Sequence, residues 1–274
     1  MFKEKIEILW LKRDLRVKDN PILSRPTLPV LPVFIFDENI LNGLPRNDRR
    51  VNFIFERVLK LKNELKKRKL DLAVFYGKPE EIFEFLSKKF ELLKIYSSSD
   101  NDKYSKIRDK KIKERYPLQI IFDSFLIPPD KILTKEGKPY KVYSFFKDKA
   151  LEFLEKEPLV EFKIPENLKI LNFDYENLIY IKNGKIEKKP LEIESTGFSK
   201  ERINFEGALK EPEELLKRFE NLIENYEEER NFPFKNSTSL LSVHLRFGTI
   251  SIRDVLRWAL KQNKNRIFIQ ELIW

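Results

Sequence analysis

Residues 226–252 read YEEERNFPFKNSTSLLSVHLRFGTISI, and they carry the densest pattern in this chain. A tyrosine, an arginine and a proline turn precede a cluster of hydroxyl side chains, which leads directly into an apolar helical pattern; the cluster is Ser237, Thr238, Ser239 and Ser242. Hydroxyls and unpaired backbone N–H groups at a helix start favour an anion, because the helix dipole adds to these donors. The pattern therefore predicts a phosphate-binding segment. The alternative is that Thr238 or Ser239 only caps the helix.

Four parts of this stretch resemble, at matching spacing, the flavin-binding core of the DNA photolyase/cryptochrome family. They are Tyr226 and residues 230–233, 238–242 and 247–251. A second resemblance lies near the amino terminus, where residues 10–21 read WLKRDLRVKDNP. The family carries Trp-x-Arg-Arg-Asp-Leu-Arg-x-x-Asp-Asn-Pro at that place. Because the two matches occur in the family's order, the chain is identified as a suspected member.

The resemblance implies flavin adenine dinucleotide (FAD) as cofactor and damaged DNA as partner. It implies that FAD is held by Tyr226, Thr238, Ser239, Leu240, Leu241, Ser242, Phe268 and Glu271. Arg230 would contact a DNA phosphate at the rim of the site, and Glu271 would face both the flavin and the lesion. Trp274 would be the plane on which an extruded base stacks, so Glu271 and Trp274 are the expected catalytic and DNA-binding pair. Without the resemblance, a tryptophan at the end of an apolar helix is more often a core residue.

The composition is that of a globular protein with a charged surface. The 274 residues are 41% apolar and 36% charged, which leaves room for about two domains. The absence of cysteine excludes disulfides and thiolate metal sites, and a single histidine, His244, excludes a polyhistidine site. We expect no metal, although carboxylate ligands for a hard cation stay open. His244 lies beside Val243 and Leu245, which favours a core or cap position.

The balance of charge and hydropathy also limits partners and location. The formal net charge of +10 favours polyanionic partners such as nucleic acid, although a generally lysine-rich composition explains it equally well. No apolar run is long enough to span a membrane, and charges interrupt the first residues, which argues against a secretory signal. We expect a cytoplasmic monomer without membrane contact.

The first half alternates apolar runs with helical patterns. The runs at residues 6–11, 29–36, 72–76, 92–97 and 119–122 predict strands, and residues 49–68, 80–90 and 103–115 predict helices. This alternation predicts an α/β domain over residues 1–125 with a doubly wound, parallel, five-stranded sheet. None of the seven glycines forms a G-x-G-x-x-G or P-loop motif, which excludes the usual dinucleotide cradle. In the resembled family, this domain carries an antenna chromophore.

Two polar clusters of this domain have alternative interpretations. Arg13, Asp14, Arg16 and Asp19 are expected to tie the turn after the first strand by exposed or half-exposed ion pairs. Asp102 lies where folate-type relatives have an acidic residue, so it is the candidate antenna contact. Ser98 stands at their asparagine, which leaves folate, a flavin-type antenna or a solvated loop as alternatives.

Regular patterns weaken over residues 126–200, which we expect to connect two domains, with one helix at residues 143–156. Residues 201–274 predict the first part of an all-helical FAD-binding domain. A helix starts at Glu211-Pro212, and Ser251 with Asp254 resembles a capping box that opens a helix at residues 252–262. The apolar pattern at residues 266–274 runs on without a cap, so we expect the chain to be an inactive fragment that binds flavin weakly or not at all.

By resemblance, the activity is that of a photolyase, a lyase in which blue light drives an electron from reduced FAD into a cyclobutane pyrimidine dimer. One rival is a cryptochrome, a signalling flavoprotein of the same fold. The rival from another class is a basic α/β nucleotide-binding module without catalysis. Bound flavin separates this last class from the other two.

Overall fold

A seven-stranded sheet forms the centre of the chain. The computed structural model describes residues 3–157, 159–262 and 266–273. The strands are β1 (Lys5–Leu11), β2 (Val30–Asp37), β3 (Ala73–Gly77), β4 (Glu91–Ser98), β5 (Leu118–Ile121), β6 (Asn177–Lys182) and β7 (Lys185–Pro190). Their spatial order is β5-β4-β1-β2-β3-β6-β7, and all neighbours are parallel except β6 and β7. The predicted α/β class and the five predicted strands are confirmed.

Both faces of the central strands β1, β2 and β3 are buried, which explains why these strands are nearly continuous apolar runs. Successive residues of β1 alternate between two apolar clusters: Leu9 and Leu11 belong to one, and Ile8 and Trp10 to the other. Helices cover the two faces and connect the strands. They are α1 (Glu38–Leu41), α2 (Arg49–Lys66), α3 (Pro79–Lys89) and α4 (Lys103–Arg115). A further helix, α5 (Tyr143–Lys156), belongs to a separate apolar cluster with Ile127, Ile132 and Ile273.

The prediction of five strands was too low, because β6 and β7 lie in the segment that was expected to be an irregular connection. These strands form a hairpin, and the turn residues Asn183 and Gly184 have φ of 50° and 76°, as a tight two-residue turn requires. β6 pairs with β3 beside Gly77, where a Cβ atom would lie 2.2 Å from the Ile181 carbonyl oxygen. The charged edge strand β7 (KIEKKP) has no apolar alternation, so its sequence gives no strand signal.

The remaining part is helical. It contains α6 (Glu206–Leu209), α7 (Pro212–Glu220), α8 (Tyr226–Glu229), α9 (Ser242–Phe247), α10 (Ile252–Gln262) and α11 (Arg266–Ile273). The predicted start at Pro212 is correct, and Glu211 with Glu214 forms a capping box there. The predicted box at Ser251 is half formed: the Ser251 hydroxyl accepts from the Arg253 amide, whereas Asp254 binds Arg257.

The helical part packs against the α/β part through α9. The Leu15 amide donates to the Phe247 carbonyl at 3.2 Å, and the Phe247 and Phe53 rings lie 5.6 Å apart. His244 is fully buried beside Phe53; its Nε2 atom lies 3.0 Å from the Lys210 carbonyl and its Nδ1 atom 2.6 Å from the Thr249 hydroxyl. Burial lowers the pKa of His244. His244 is therefore a core residue, and it packs on α2 rather than only among its own helices.

Candidate functional site

Three segments that the sequence singled out meet on one apolar cluster. Tyr226 of α8, Leu241 just before α9 and Phe268 of α11 belong to the same group of buried side chains. The Tyr226 ring lies 5.3 Å from Phe219 and 5.4 Å from Phe268, and both pairs are edge-to-face. Such pairs are typical of well-packed aromatic cores. The fold therefore brings the beginning, middle and end of the predicted site together.

In the part of the chain that the structure describes, the two aromatic residues of this site pack in the apolar cluster. Tyr226 and Phe268 are both buried, and burial raises the pKa of the Tyr226 hydroxyl. Leu241 is buried as well, whereas Leu240 is half-buried. A contact between FAD and any of these four residues stays a prediction.

Arg230 and Glu271 form an ion pair at the surface of this cluster. The Arg230 guanidinium donates to the Glu271 carboxylate, and this hydrogen bond raises the pKa of Arg230. The two side chains are 30% and 46% exposed, so water and ligands reach the pair. The cation expected to contact DNA and the carboxylate expected to face the flavin thus neutralise each other here. Trp274, the expected stacking plane, lies outside the described residues.

The hydroxyl segment precedes a short helix without capping it. The N-cap position of α9 is Leu241, and no side chain caps it, so the capping alternative for Thr238 and Ser239 is wrong. The Ser239 hydroxyl accepts a long 3.5 Å hydrogen bond from the Leu241 amide. Within the described parts of the chain, the hydroxyls of Thr238 and Ser242 have no hydrogen-bond partner.

The backbone of this segment is held in an unusual conformation. Leu240 has φ of 56°, in the left-handed region that branched residues seldom adopt. Arg218 of α7 donates to the carbonyl of Thr238 at 2.9 Å and to the carbonyl of Asn236. The loop is therefore fixed from α7, and its hydroxyls are presented by a rigid backbone.

The amino-terminal motif forms a mostly buried network; of its residues, Arg13 has the half-exposed ion pairs that we expected, with Asp100 and Asp102. Arg16 donates to both carboxylate oxygens of Asp123, at 2.7 and 2.8 Å, and to the Gly248 carbonyl at 3.1 Å. Asp19 accepts from the Ser251 hydroxyl at 2.6 Å and binds Arg253 at 3.1 Å. Gly248, Ser251 and Arg253 lie in the helical part, whereas Asp123 follows β5, so the motif fastens the two parts of the chain together.

Asp14 is the residue of this motif whose charged form is disfavoured by its surroundings. It is fully buried, and its Oδ1 atom accepts from the Lys12 amide at 2.6 Å. Desolvation, assisted by the nearby Asp123 carboxylate, raises the pKa of Asp14 to about 6. Sequence alone could not reveal this shift, because the residue that opposes ionisation is 109 positions away along the chain.

Asp102 is the N-cap of α4. Its carboxylate accepts from the Ser105 amide and from the Ser105 hydroxyl, both at 2.8 Å, and it lies 3.4 Å from Arg13. Burial alone would raise the pKa of Asp102, but the Ser105 hydrogen bonds and Arg13 lower it. The Asp102 carboxylate thus already accepts hydrogen bonds from Ser105 and Arg13. Its antenna role stays a prediction.

A cavity of 150 Å³ opens at the carboxyl ends of β1 and β2. Trp10, Phe34, Phe36 and Phe247 supply aromatic walls, and Lys12, Arg13, Arg108, Asp37 and Asp100 supply charge. Arg108 lies 4.8 Å from the Trp10 ring centre and 5.5 Å from that of Tyr104. In doubly wound sheets, ligands bind in crevices at the carboxyl ends of the strands, where the strand order reverses. Here the order reverses between β1 and β4, and Asp100, which follows β4, also lines the cavity. The sequence does not single out Arg108 or Asp37; the signals are that Asp37 ends β2 and that Arg108 lies on the buried face of α4.

None of the described helices is long and apolar enough to cross a membrane. This finding covers only the part of the chain that the structure describes.

Comparison with known proteins places the chain in a family. The sequence pattern described as DNA photolyase matches residues 7–165. A deoxyribodipyrimidine photo-lyase from Synechococcus is 25% identical over 97% of this chain and 58% of its own length. A Sulfolobus tokodaii photolyase solved with two FAD molecules is 23% identical, with a TM-score of 0.72 over 98% of this chain and 57% of its own. A Synechocystis cryptochrome is 19% identical, with a TM-score of 0.76 over 100% of this chain and 60% of its own.

The chain thus spans somewhat more than half the length of these relatives. The structural likenesses at this low identity concern the fold, and the sequence match over residues 7–165 covers more than half of the chain. The two recognised motifs lie in the order that the family uses. The chain therefore belongs to the DNA photolyase family.

Proposed function

We propose that this protein takes part in light-driven repair of cyclobutane pyrimidine dimers in DNA, with reduced FAD as the electron donor. The observation that carries the proposal is the convergence of α8, residues 238–242 and α11 on one cluster. This arrangement puts unpaired hydroxyls, buried aromatic rings and a surface ion pair in one region, which suits a flavin nucleotide beside a polyanion. Because the chain spans about 58% of its photo-lyase relative, the activity of a whole photolyase is itself part of the proposal.

The residues present fit the phosphate and ribose side of FAD. The hydroxyls of Thr238 and Ser242 lack partners in the described structure, and a nucleotide supplies acceptors for both. Arg218 holds the loop from behind through two carbonyls, so binding does not require the backbone to reorganise. When bound, FAD supplies the electron that splits the dimer.

Arg230 and Glu271 provide the contact with DNA. A DNA phosphate that approaches Arg230 meets a guanidinium that is already hydrogen-bonded to the Glu271 carboxylate. The guanidinium has five N–H donors, so it can bind the phosphate as well, although the carboxylate weakens the attraction. Glu271 fixes the direction of Arg230 before DNA arrives. Tyr226 and Phe268 pack against each other in the apolar cluster beneath the ion pair, and their buried rings exclude water from the interior of that cluster.

The test combines flavin titration with a repair assay. The chain is titrated with FAD, and a dimer-containing oligonucleotide is then illuminated with blue light in the presence of a reductant. Glu271→Gln should lower light-driven repair, while Glu227→Gln, at an exposed glutamate of α8, should not. Flavin binding without dimer recognition would favour the cryptochrome alternative. Absence of any flavin binding, with the chain folded, would contradict the FAD site assigned to this chain.

We also propose that the strand-end cavity holds part of a flavin-type antenna ring, rather than a folate held by Asp102. The cavity has aromatic walls and buried cations, whereas Asp102 is already engaged as a helix cap. The two FAD molecules of the Sulfolobus tokodaii photolyase support a second ring-shaped ligand. At 150 Å³ the cavity is smaller than the ~300 Å³ of typical ligand pockets, so only one end of a ring system would enter.

Blocking the cavity mouth tests the antenna proposal. Ile40 is 45% exposed and lines the cavity, so Ile40→Trp should reduce the affinity for flavin mononucleotide. Leu28→Trp adds the same ring at an exposed site away from the cavity and should have no effect. Equal affinity in both variants would contradict the assignment.

A further inference from the structure

The solvent-facing side of α4 carries an unbalanced set of cations. Six basic side chains are exposed on this one helix: Lys103, Lys106, Lys110, Lys111, Lys113 and Arg115. Glu114 is the one exposed carboxylate within α4. The acidic residue Asp109 faces inward, where it binds Lys12 and Arg108. The outer face of α4 is therefore strongly positive.

These cations differ from the lysines on the other long helices. Apart from Lys89, the exposed lysines of α2, α3 and α5 form ion pairs: Lys60 with Glu211, Lys66 with Glu176, Lys88 with Glu84, and Lys149 and Lys156 with Glu152. The six cations of α4 form no ion pair with any residue that the structure describes. A lysine-rich composition alone does not explain this difference, because the same composition gives paired lysines elsewhere.

Four of the lysines form a stripe along the helix. Lys103, Lys106, Lys110 and Lys113 are separated by three, four and three residues, which places them on one side of a helix. The stripe extends about 15 Å at the usual helical rise. Its steps of about 5 to 6 Å allow flexible lysines to reach successive phosphates of one nucleic acid strand.

The stripe starts at the junction between the two parts of the chain. Asp100 and Asp102, just before α4, line a cavity of 240 Å³ together with Leu245 and Arg246 of the α9 helix. Arg246 is exposed there. The Asp100 and Asp102 carboxylates are paired with Arg13, so a polyanion lying against the helical part can contact Arg246 and then the stripe.

We propose that the lysine stripe of α4 (Lys103, Lys106, Lys110 and Lys113) binds the phosphate backbone of duplex DNA, as an electrostatic contact separate from Arg230. This proposal rests on the proposed function only in the choice of DNA as the polyanion. Lysine acts on phosphates as a point charge without sequence preference. Ile107 is the exposed apolar residue of α4 and Ile112 is buried, so the helix has no apolar face to insert into a lipid surface. The stripe also lacks the aromatic anchors typical of protein interfaces.

The experiment measures how salt affects binding of the chain to a short undamaged duplex. One variant carries Lys103→Gln, Lys106→Gln, Lys110→Gln and Lys113→Gln. Its matched control carries Lys88→Gln, Lys149→Gln, Lys156→Gln and Lys188→Gln, which removes the same charge from lysines that are already paired with carboxylates. Circular dichroism verifies that both variants are folded. The stripe variant should lower the slope of log affinity against log salt by about 3 to 4 units, and the control by less than one.

Equal slopes in the two variants would show that binding follows net charge, and this would overturn the proposal. So would a wild-type chain that does not bind the duplex at low salt. A parallel titration with the dimer-containing duplex and with FAD separates this contact from the proposed function. Duplex binding that depends on the stripe, without flavin binding or preference for the dimer, would refute the repair function and leave the α4 contact standing.

Discussion

The Ser251 hydroxyl donates a 2.6 Å hydrogen bond to the Asp19 carboxylate, which joins the loop after β1 to the start of α10. The same carboxylate binds Arg253 at 3.1 Å and Arg257 at 2.7 Å, and its side chain is fully buried. Without the Asp19 charge, Arg253 keeps one carboxylate partner, Asp123, and Arg257 keeps Asp254, so two buried or half-buried cations are only partly compensated. Asp19→Asn should therefore lower the free energy of unfolding by about 3 kcal/mol, measured by urea denaturation.

Asp130→Asn is the control for this change, because Asp130 is exposed. Its effect should stay within about 0.5 kcal/mol. Burial alone would raise the pKa of Asp19, but the Ser251 hydroxyl, the Phe162 amide and the two arginines lower it below the usual value of 3.8. The stabilisation is thus present above pH 3.8 and is lost as the pH falls through the lower folded-state pKa. Equal losses of unfolding free energy in Asp130→Asn and Asp19→Asn would contradict this account.

Gly248 permits the closest backbone approach at the same junction. Its φ is 64°, and a Cβ atom would lie 2.0 Å from the Arg13 carbonyl oxygen and 2.8 Å from the Asp14 Cα atom. Gly248→Ala should therefore cost about 3 kcal/mol or more, since the two parts of the chain must separate. Gly184→Ala is a matched control, with φ of 76° and no atom within 4 Å, and should cost about 1 kcal/mol from backbone strain alone. Similar losses of unfolding free energy in the two variants would mean that the junction accommodates the added methyl group without separating.

Asp14 should make stability depend on pH in the opposite direction to Asp19. Its folded-state pKa is about 6, raised by burial from 3.8, so the protonated form is favoured in the folded protein. The associated stabilisation is complete below pH 3.8 and is lost as the pH rises through about 6. Asp14→Asn removes this dependence, because the amide stays neutral. The variant should gain up to roughly 3 kcal/mol relative to wild type between about pH 4 and pH 7.5, as measured by urea denaturation. A constant difference across this range would show that Asp14 ionises normally.

The sheet was predictable because its central strands β1, β2 and β3 are apolar on both faces, as strands between two layers of helices must be. Helix α4 was predicted with its observed bounds, since Asp102 caps one end and Pro117 follows the other. The hairpin of β6 and β7 was missed, because an edge strand buries little and its residues need no periodic pattern.

The candidate site was only partly predictable. The sequence shows which residue types occur, so Tyr226, Arg230 and the hydroxyl cluster could be selected by resemblance. Their partners depend on tertiary contacts: Glu271 is 41 residues from Arg230 along the chain, and Asp123 is 107 residues from Arg16. The motif around Asp19 therefore looked like a local turn, although its charges face the helical part.

Thr238→Val tests the predicted phosphate side of the FAD site. No side chain caps α9, so the substitution should change thermal stability by less than about 0.5 kcal/mol. Loss of one hydrogen bond to a phosphate should weaken FAD binding by about tenfold, as measured by fluorescence titration. Thr27→Val, at an exposed position of the α/β part, is the control and should leave both quantities unchanged. Unchanged FAD affinity in Thr238→Val would remove this hydroxyl from the site.

Arg230 and Glu271 give the sharpest test of the DNA contact, because the two substitutions should act in opposite directions. Arg230→Ala should weaken binding to damaged and undamaged duplex alike and lower the salt slope by about one unit, without loss of flavin. Arg202→Ala, an exposed arginine of the helical part, removes the same charge and should have a smaller effect. Glu271→Gln should strengthen binding to undamaged duplex, because it releases the Arg230 guanidinium from its carboxylate partner. Weaker binding in Glu271→Gln, or loss of flavin in Arg230→Ala, would show that the ion pair builds the flavin pocket rather than the DNA rim.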